Sequence, residues 1–208
     1  MTTRRLALAG LVGPPLFAAI VVIVTAIEWN FLHDLGWSAA PFDSPDPPWP
    51  SSAALGDWGF LLVLGFLLLG LSVLALAVAL FRLLPARRKI GPILLALAGA
   101  GVGLAAFRTD YGSAGGGGPE TWNGTVHAVG LTIFIPVVVV SMLVLAAQFG
   151  REEQWRPMSR HSLIAGVIAL ASFFAFLVFS CSVFFWIYLA VVLAWLALTS
   201  ARALSLSR

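Results

Sequence analysis

The chain has few charged residues: only 10% of its 208 residues are Asp, Glu, Lys or Arg, while 60% are hydrophobic. So little polar surface excludes a soluble domain of this length, because such a domain needs charged side chains to coat its exterior. Cysteine is nearly absent as well. The single cysteine, Cys181, excludes an intrachain disulfide, and its apolar neighbours indicate a packed side chain.

What the sequence has in place of charge is a series of long apolar runs. The first run, at 6–27, is long enough to cross a hydrocarbon core about 30 Å thick. The last run would reach about twice that thickness, so it must fold back near Ser180-Cys181-Ser182. Pro14-Pro15 should kink the first helix or mark its start. The fold class predicted is all-α: one polytopic domain over residues 1–208, with six transmembrane helices at about 6–27, 58–81, 90–107, 125–149, 163–181 and 184–204.

The distribution of positive charge predicts the orientation. Positive residues in short loops are retained in the cytoplasm, and eleven of the 12 Lys and Arg residues lie in the tails and two short connections. We therefore expect a protein of the cell (inner) membrane with both termini cytoplasmic and Arg108 as the one external cation. The basic residues flank apolar helices, where anionic lipid headgroups attract them, so the expected partner is the bilayer and not nucleic acid.

The external connection at residues 28–57 is rich in tryptophan and proline. Its indole rings are Trp29, Trp37 and Trp49, with Trp58 just after it. Tryptophan prefers the membrane–water interface, which favours an irregular cap at the headgroup level. The alternative is a lid over a ligand.

Gly99 and Gly103 form a Gly-x-x-x-Gly pair in the third predicted helix. Small residues at this spacing let a second helix approach closely. Packing within the monomer is the favoured interpretation. A homo-oligomer, or a seam with a partner in a membrane complex, is the alternative.

Ionisable residues collect at the outer ends of the predicted helices, and they are the candidate ligand-binding residues: Glu28, Asp57, Arg108, Asp110 and His127. Such groups are costly at membrane depth, so they pair with one another or line a wet cavity. An ion pair of Arg108 with Asp110, Asp57 or Glu28 is one interpretation. A ligand or proton site that includes His127 is the second, and simple exposure to water is the third.

Catalysis by these residues is a weaker hypothesis. His127 could act as a general acid or base with Asp110 orienting it, since imidazole exchanges protons near neutral pH. The other two histidines, His33 and His161, are predicted in the external loop and on the cytoplasmic side, so the three cannot converge. We expect no metal site and no cofactor.

Three segments resemble a family of bacterial and archaeal six-helix membrane proteins known as domain-of-unknown-function family 998. They are Pro50-Ser51-Ser52-Ala53-Ala54-Leu55-Gly56-Asp57-Trp58-Gly59-Phe60, Phe107-Arg108-Thr109-Asp110 and Gly124-Thr125-Val126-His127. The resemblance implies the six-helix fold and makes Asp110 and His127 the best site candidates, but it implies no reaction. The chain departs from the family at Tyr111, where proline is usual, and in the fifth-to-sixth turn. A distant likeness to Frag/DRAM/Sfk-type membrane proteins would suggest a lipid-related role by analogy.

The favoured function is non-catalytic: binding or movement of a lipid-like or small amphiphilic ligand through an outward-facing polar pocket. Arg108 would meet an anionic group, while His127 and Asp110 would supply directional hydrogen bonds. The alternatives are a membrane-embedded enzyme with a His127/Asp110 acid–base pair and an accessory subunit of a membrane complex.

Overall fold

The computed structural model describes residues 1–37, 49–111 and 118–207. Within these ranges the chain is helical and contains no strand, which confirms the all-α fold class. The α-helices are α1 (Thr3–Ile27), α2 (Trp29–Asp34), α3 (Gly59–Leu83), α4 (Ile90–Leu104), α5 (Trp122–Phe149), α6 (Arg156–Phe179) and α7 (Ser182–Leu206). Short 3-10 turns occupy Pro50–Leu55, Ala86–Arg88 and Glu153–Trp155.

Five of the described helices are long and apolar enough to cross a membrane: α1, α3, α5, α6 (counted from Glu153) and α7. Helix α4 is equally apolar but has only 15 residues. At 1.5 Å per residue it is about 22 Å long, shorter than the hydrocarbon core of about 30 Å. The α-helix ends at Leu104, before the carboxyl end of the predicted span at 90–107.

Two other helix starts differ from the predictions. Helix α1 begins at Thr3 and continues through Pro14 and Pro15, so the idea that the proline pair marks its start was wrong. Helix α5 begins at Trp122 because the Thr121 side chain accepts a hydrogen bond from the Gly124 N–H. Such an amino-terminal cap stabilises a helix by about 1 kcal/mol.

The chain reverses between α6 and α7 at the predicted place. Ser180 ends α6 with φ 48°, in the left-handed region, and α7 begins at Ser182. A left-handed residue commonly ends a helix, and glycine is usual there. Ser180 carries this conformation without glycine or proline, so neither residue marks the turn.

The six longest helices form a closed ring. Each packs against the next along the chain, in the order α1, α3, α4, α5, α6, α7, and α7 packs back on α1. Successive helices run in opposite directions, so the ring has two distinct ends.

One end of the ring gathers basic side chains. Arg82 donates to the Met1 carbonyl at 2.8 Å, Arg88 donates to the Gln148 carbonyl at 3.1 Å, and Arg202 donates to the Gln154 carbonyl. Arg88 also forms, with Glu152, the only ion pair found in the described part of the chain. This arrangement matches the predicted grouping of the tails with the two basic connections.

The small-residue face of α4 packs within the monomer. A Cβ atom at Gly70 of α3 would lie 2.9 Å from the Gly103 Cα and 3.0 Å from the Gly99 carbonyl oxygen. On another face, a Cβ at Gly130 of α5 would lie 2.6 Å from the Gly101 carbonyl oxygen. Helix α4 thus lies in close backbone contact with both neighbours, as the favoured interpretation of the glycine pair predicts.

The described residues of the connection after α1, 28–37 and 49–57, are more helical and more buried than an irregular cap. Trp29 and Trp58 are 36% and 49% exposed, as interfacial anchors would be, but Trp37 is buried. Trp49 packs edge-on against Phe176 of α6 and Phe185 of α7, with ring centroids about 5 Å away. The turn Pro50–Leu55 is buried throughout. We call residues 49–55 the inserted cap, because they enter the end of the ring.

Candidate functional site

His127 lies one and a half turns into α5, buried with 3% of its surface exposed. Its Nδ1 atom is 2.7 Å from the Ala105 carbonyl oxygen and 2.8 Å from the Phe107 carbonyl oxygen. Both partners only accept hydrogen bonds, so Nδ1 carries the proton and donates to them. The ring thereby satisfies carbonyl groups at the carboxyl end of α4, which lack partners within the helix.

The other ring nitrogen of His127 is unused. Nε2 is buried and has no hydrogen-bond partner among the described residues. With the proton on Nδ1, Nε2 of the neutral ring is an acceptor. Most buried polar atoms are hydrogen-bonded, so a buried acceptor left open marks a position where a ligand or water can bind.

Asp110 is held by the start of α5. The Thr121 N–H donates to its Oδ2 at 2.8 Å, and the Thr121 hydroxyl donates to its Oδ1 at 2.6 Å. A Cβ atom at Gly124 would lie 1.9 Å from Oδ2, so this carboxylate requires glycine there. The Thr121 hydroxyl and N–H hold the pKa of Asp110 below its usual range because they favour the charged form.

These contacts explain the spacing of the family-like segments between α4 and α5. We call Phe107, Asp110, Thr121, Gly124 and His127 the α4–α5 clasp, because their hydrogen bonds and close packing join the end of α4 to the start of α5. Asp110 and His127 are both in the clasp, but each is hydrogen-bonded to other groups. The predicted orientation of His127 by Asp110 is instead supplied by two backbone carbonyl groups.

Arg108 does not form the predicted ion pair within the described part of the chain. Its Nε donates to the Ala54 carbonyl at 2.9 Å and a terminal nitrogen donates to the Leu55 carbonyl at 3.1 Å. The guanidinium group therefore fixes the carboxyl end of the inserted cap. Its side chain remains exposed.

Glu28 and Asp57, the other two predicted site residues, also have surroundings of their own. Glu28 is buried, and its Oε1 accepts the Trp58 N–H at 2.5 Å. A Cβ at Gly56 would lie 2.3 Å from that carboxylate, so Gly56 leaves room for it. Asp57, by contrast, is exposed. The five predicted residues share one end of the ring, but they hold different parts of it and do not meet in one cluster.

Two pockets open beside the clasp. The first, which we call the His127 pocket, has a volume of about 420 Å³ and lies between α5, α6 and the inserted cap. The second has a volume of about 430 Å³ and includes Arg108, Asp110 and Tyr111. Thr109, a buried residue, lines both.

Sequence reasoning missed Thr121, Thr109 and the inserted cap. Thr121 had a usable signal, because threonine just before an apolar helical run is a common amino-terminal cap. No sequence signal indicated the burial of Trp49 and Ser51, since tryptophan among prolines is also typical of an interfacial loop. No group of three His, Cys, Asp or Glu side chains suited to a metal ion occurs in the ranges that the structure describes.

The ring of apolar helices, with charged side chains confined to its ends, defines a polytopic α-helical membrane protein. The chain belongs to the family described as Protein of unknown function (DUF998), whose model matches residues 11–202. The resemblance in the three segments is thus confirmed. No curated protein and no solved structure matches the chain.

The lowered pKa of Asp110 predicts a pH-dependent stability. A carboxylate with a folded-state pKa below its unfolded value stabilises the fold at pH values above the unfolded pKa, and this contribution is lost as pH falls through the folded pKa. Asp110→Asn should therefore lower the melting temperature by several degrees at pH 6. The difference from wild type should shrink below about pH 4.

Melting curves of detergent-purified protein between pH 3 and 7 measure this effect. Asp57→Asn is the matched control, because Asp57 is exposed, and it should leave the curve unchanged. A gap between wild type and Asp110→Asn that stays constant over the whole pH range would contradict the assignment.

Proposed function

We propose that the protein binds a lipid-like or small amphiphilic molecule in the His127 pocket, with the polar end beside His127 and the apolar tail between α5 and α6. The observation that carries this proposal is that His127, whose buried Nε2 atom has no partner among the described residues, lines a pocket of about 420 Å³. Ligand pockets are typically 300–1,000 Å³, mostly apolar, with a few placed polar groups.

The lining of the pocket is itself amphiphilic. Its apolar part includes Trp49, Leu131, Ile135 and Phe173. Its polar part consists of the hydroxyl groups of Ser51, Thr109 and Thr132 together with the His127 ring. An amphiphile would match both parts at once, whereas a purely polar solute would leave the apolar part uncovered.

The pocket opens along one side of α5. Ala128, Thr132 and Pro136 line it, are spaced four residues apart, and are exposed. Residues at this spacing form one stripe of a helix. In a bilayer that stripe faces the acyl chains, so a ligand would enter sideways from the membrane.

The small size of the cavity inside the ring favours binding at the side of the ring over passage through a central channel. The cavity lined by Phe17, Phe66, Phe134 and Tyr188 has a volume of only about 30 Å³. That is about the share of one water molecule in the liquid. Movement of a ligand would therefore follow the α5–α6 side and not the ring axis.

In this proposal the other candidate residues position the pocket. Arg108 holds the end of the inserted cap, which carries Trp49 and Ser51 to the pocket wall. Asp110 fixes the start of α5, from which His127 projects. Glu28 holds Trp58 at the end of the connection. Asp57 has no assigned part.

We further propose that α4 is a sixth span and that both termini are cytoplasmic. Helix α4 starts beside Arg88 at the basic end and ends at the clasp, so it joins the two ends of the ring despite its 15 residues. Turn hydrogen bonds from Ala105, Ala106 and Phe107 extend its path beyond Leu104. The basic end would face the cytoplasm.

Cysteine labelling in intact cells tests the orientation. In a Cys181→Ser background, Asp57→Cys should react with a membrane-impermeant maleimide, because the end of the ring opposite the basic end would be external. Ser205→Cys, in the last turn of α7, should react only after the cells are permeabilised. If Ser205→Cys reacts in intact cells and Asp57→Cys reacts only after permeabilisation, the proposed orientation is overturned.

Blocking the pocket tests the ligand proposal. Ala128→Phe places a ring in the pocket opening, and it should strongly reduce the lipid that co-purifies in mild detergent, measured by native mass spectrometry. Val129→Phe is the matched control, since Val129 is 48% exposed and is not part of the pocket lining. Equal retention by wild type and both variants would contradict binding at this site.

A further inference from the structure

We infer that the headgroup bound in the His127 pocket is uncharged and carries a hydroxyl group, which donates a hydrogen bond to His127 Nε2. This inference rests on the proposed function and specifies the class of ligand. It differs from the expectation that Arg108 receives an anionic headgroup.

The first step is the fixed state of the His127 ring. Two backbone carbonyl oxygens lie 2.7 and 2.8 Å from Nδ1, so the proton stays on that nitrogen. Nε2 of the neutral ring then offers a lone pair and no hydrogen. A ligand atom that satisfies it must be a donor, and an ester or ether oxygen cannot serve.

The second step is the absence of charge among the described residues of the lining. Every described lining residue of the His127 pocket is apolar, a hydroxyl residue, glycine, proline or the histidine itself. A phosphate or ammonium headgroup would enter without a counter-ion. Burying an unpaired charge costs far more than burying a hydroxyl that is hydrogen-bonded.

The third step is that Arg108 and Asp110, the described charged residues on either side of Thr109, are engaged elsewhere. Arg108 donates to the Ala54 and Leu55 carbonyl groups, and the Asp110 oxygens accept from Thr121. Both side chains line the second pocket, which shares only Thr109 with the first. Neither is placed to neutralise a headgroup beside Nε2.

A second acceptor lies further along the same wall. Proline has no N–H, so Pro136 cannot donate to the carbonyl group of Thr132, four residues earlier in α5. Thr132 and Pro136 both line the pocket. The wall therefore combines the His127 ring with a carbonyl group that lacks its usual helical donor, which suits a headgroup with more than one hydroxyl.

Three probes with the same oleoyl chain test the inference on the full-length protein in detergent, with binding followed by native mass spectrometry. They are 1-oleoylglycerol, its 2,3-di-O-methyl ether, which has no donor, and 1-oleoyl-lysophosphatidate, which is anionic. Free glycerol tests whether the headgroup binds without a tail. We expect 1-oleoylglycerol to bind about tenfold more tightly than the ether, the effect of one good hydrogen bond. The lysophosphatidate should bind no more tightly than the ether, and glycerol should not bind.

A histidine variant separates the two ring nitrogens. In His127→Asn the side-chain amide can take the place of Nδ1 and donate to the Ala105 and Phe107 carbonyl groups, but nothing replaces Nε2. The variant should melt near the wild-type temperature and bind the glycerol probe and its ether equally. If the variant does not fold, the comparison of the three probes on wild-type protein still tests whether the headgroup must carry a hydroxyl group.

The outcomes distinguish this inference from the proposed function. Equal binding of the three oleoyl probes, or tightest binding of the lysophosphatidate, with loss in Ala128→Phe, would overturn the hydroxyl inference and leave the amphiphile site standing. A tenfold preference that persists in folded His127→Asn would also overturn it. If Ala128→Phe does not affect binding, or if no probe binds at all, both the hydroxyl inference and the proposed amphiphile site are overturned.

Discussion

The structure depends on the need to satisfy backbone carbonyl groups where helices end in or near the membrane. With no water in the hydrocarbon core, each such group requires a donor from the protein itself. Here the donors are side chains: His127 at the end of α4, Lys89 at the end of α3, where it reaches the Leu84 carbonyl at 2.6 Å, and Arg108 at the end of the inserted cap. These contacts fix the ends of the ring and hence the pockets there.

His127 caps the end of α4 and also carries a second ring nitrogen that can accept a hydrogen bond. The hydrogen bonds that make Nδ1 a cap also fix which nitrogen carries the proton, and so they set Nε2 as an acceptor. An acceptor atom held in this way is rigid, because its ring is fixed by the end of a neighbouring helix.

The sequence predicted the parts of the fold that depend on hydrophobicity. Apolar run length gave the α6–α7 reversal at Ser180, and the clustering of arginines matched the shared basic end. Helix α1 continues through Pro14-Pro15, which overturns the predicted start there but not the predicted kink, and α4 ends at Leu104, before the end of the predicted span. Local residues alone do not decide these features, because packing against neighbouring helices does.

The candidate site was predicted only as a set of residues at one end. The expected ion pair of Arg108 reflects a general limit: side-chain charges are visible in a sequence, whereas the backbone carbonyl groups of Ala54 and Leu55 that it meets depend on the fold. Gly124 and Thr121 show the same limit. Their importance comes from their closeness to Asp110, which becomes apparent only once α4 and α5 are placed together.

The most direct test of this account is the protonation of the His127 ring, measured by ¹⁵N NMR on selectively histidine-labelled protein, with the signal assigned by its loss in His127→Asn. The account predicts a neutral ring at pH 7 with the proton on Nδ1, and an Nε2 resonance that shifts when a hydroxyl-bearing amphiphile binds. A proton on Nε2 alone would contradict both the cap and the open acceptor, and a doubly protonated ring would contradict the open acceptor.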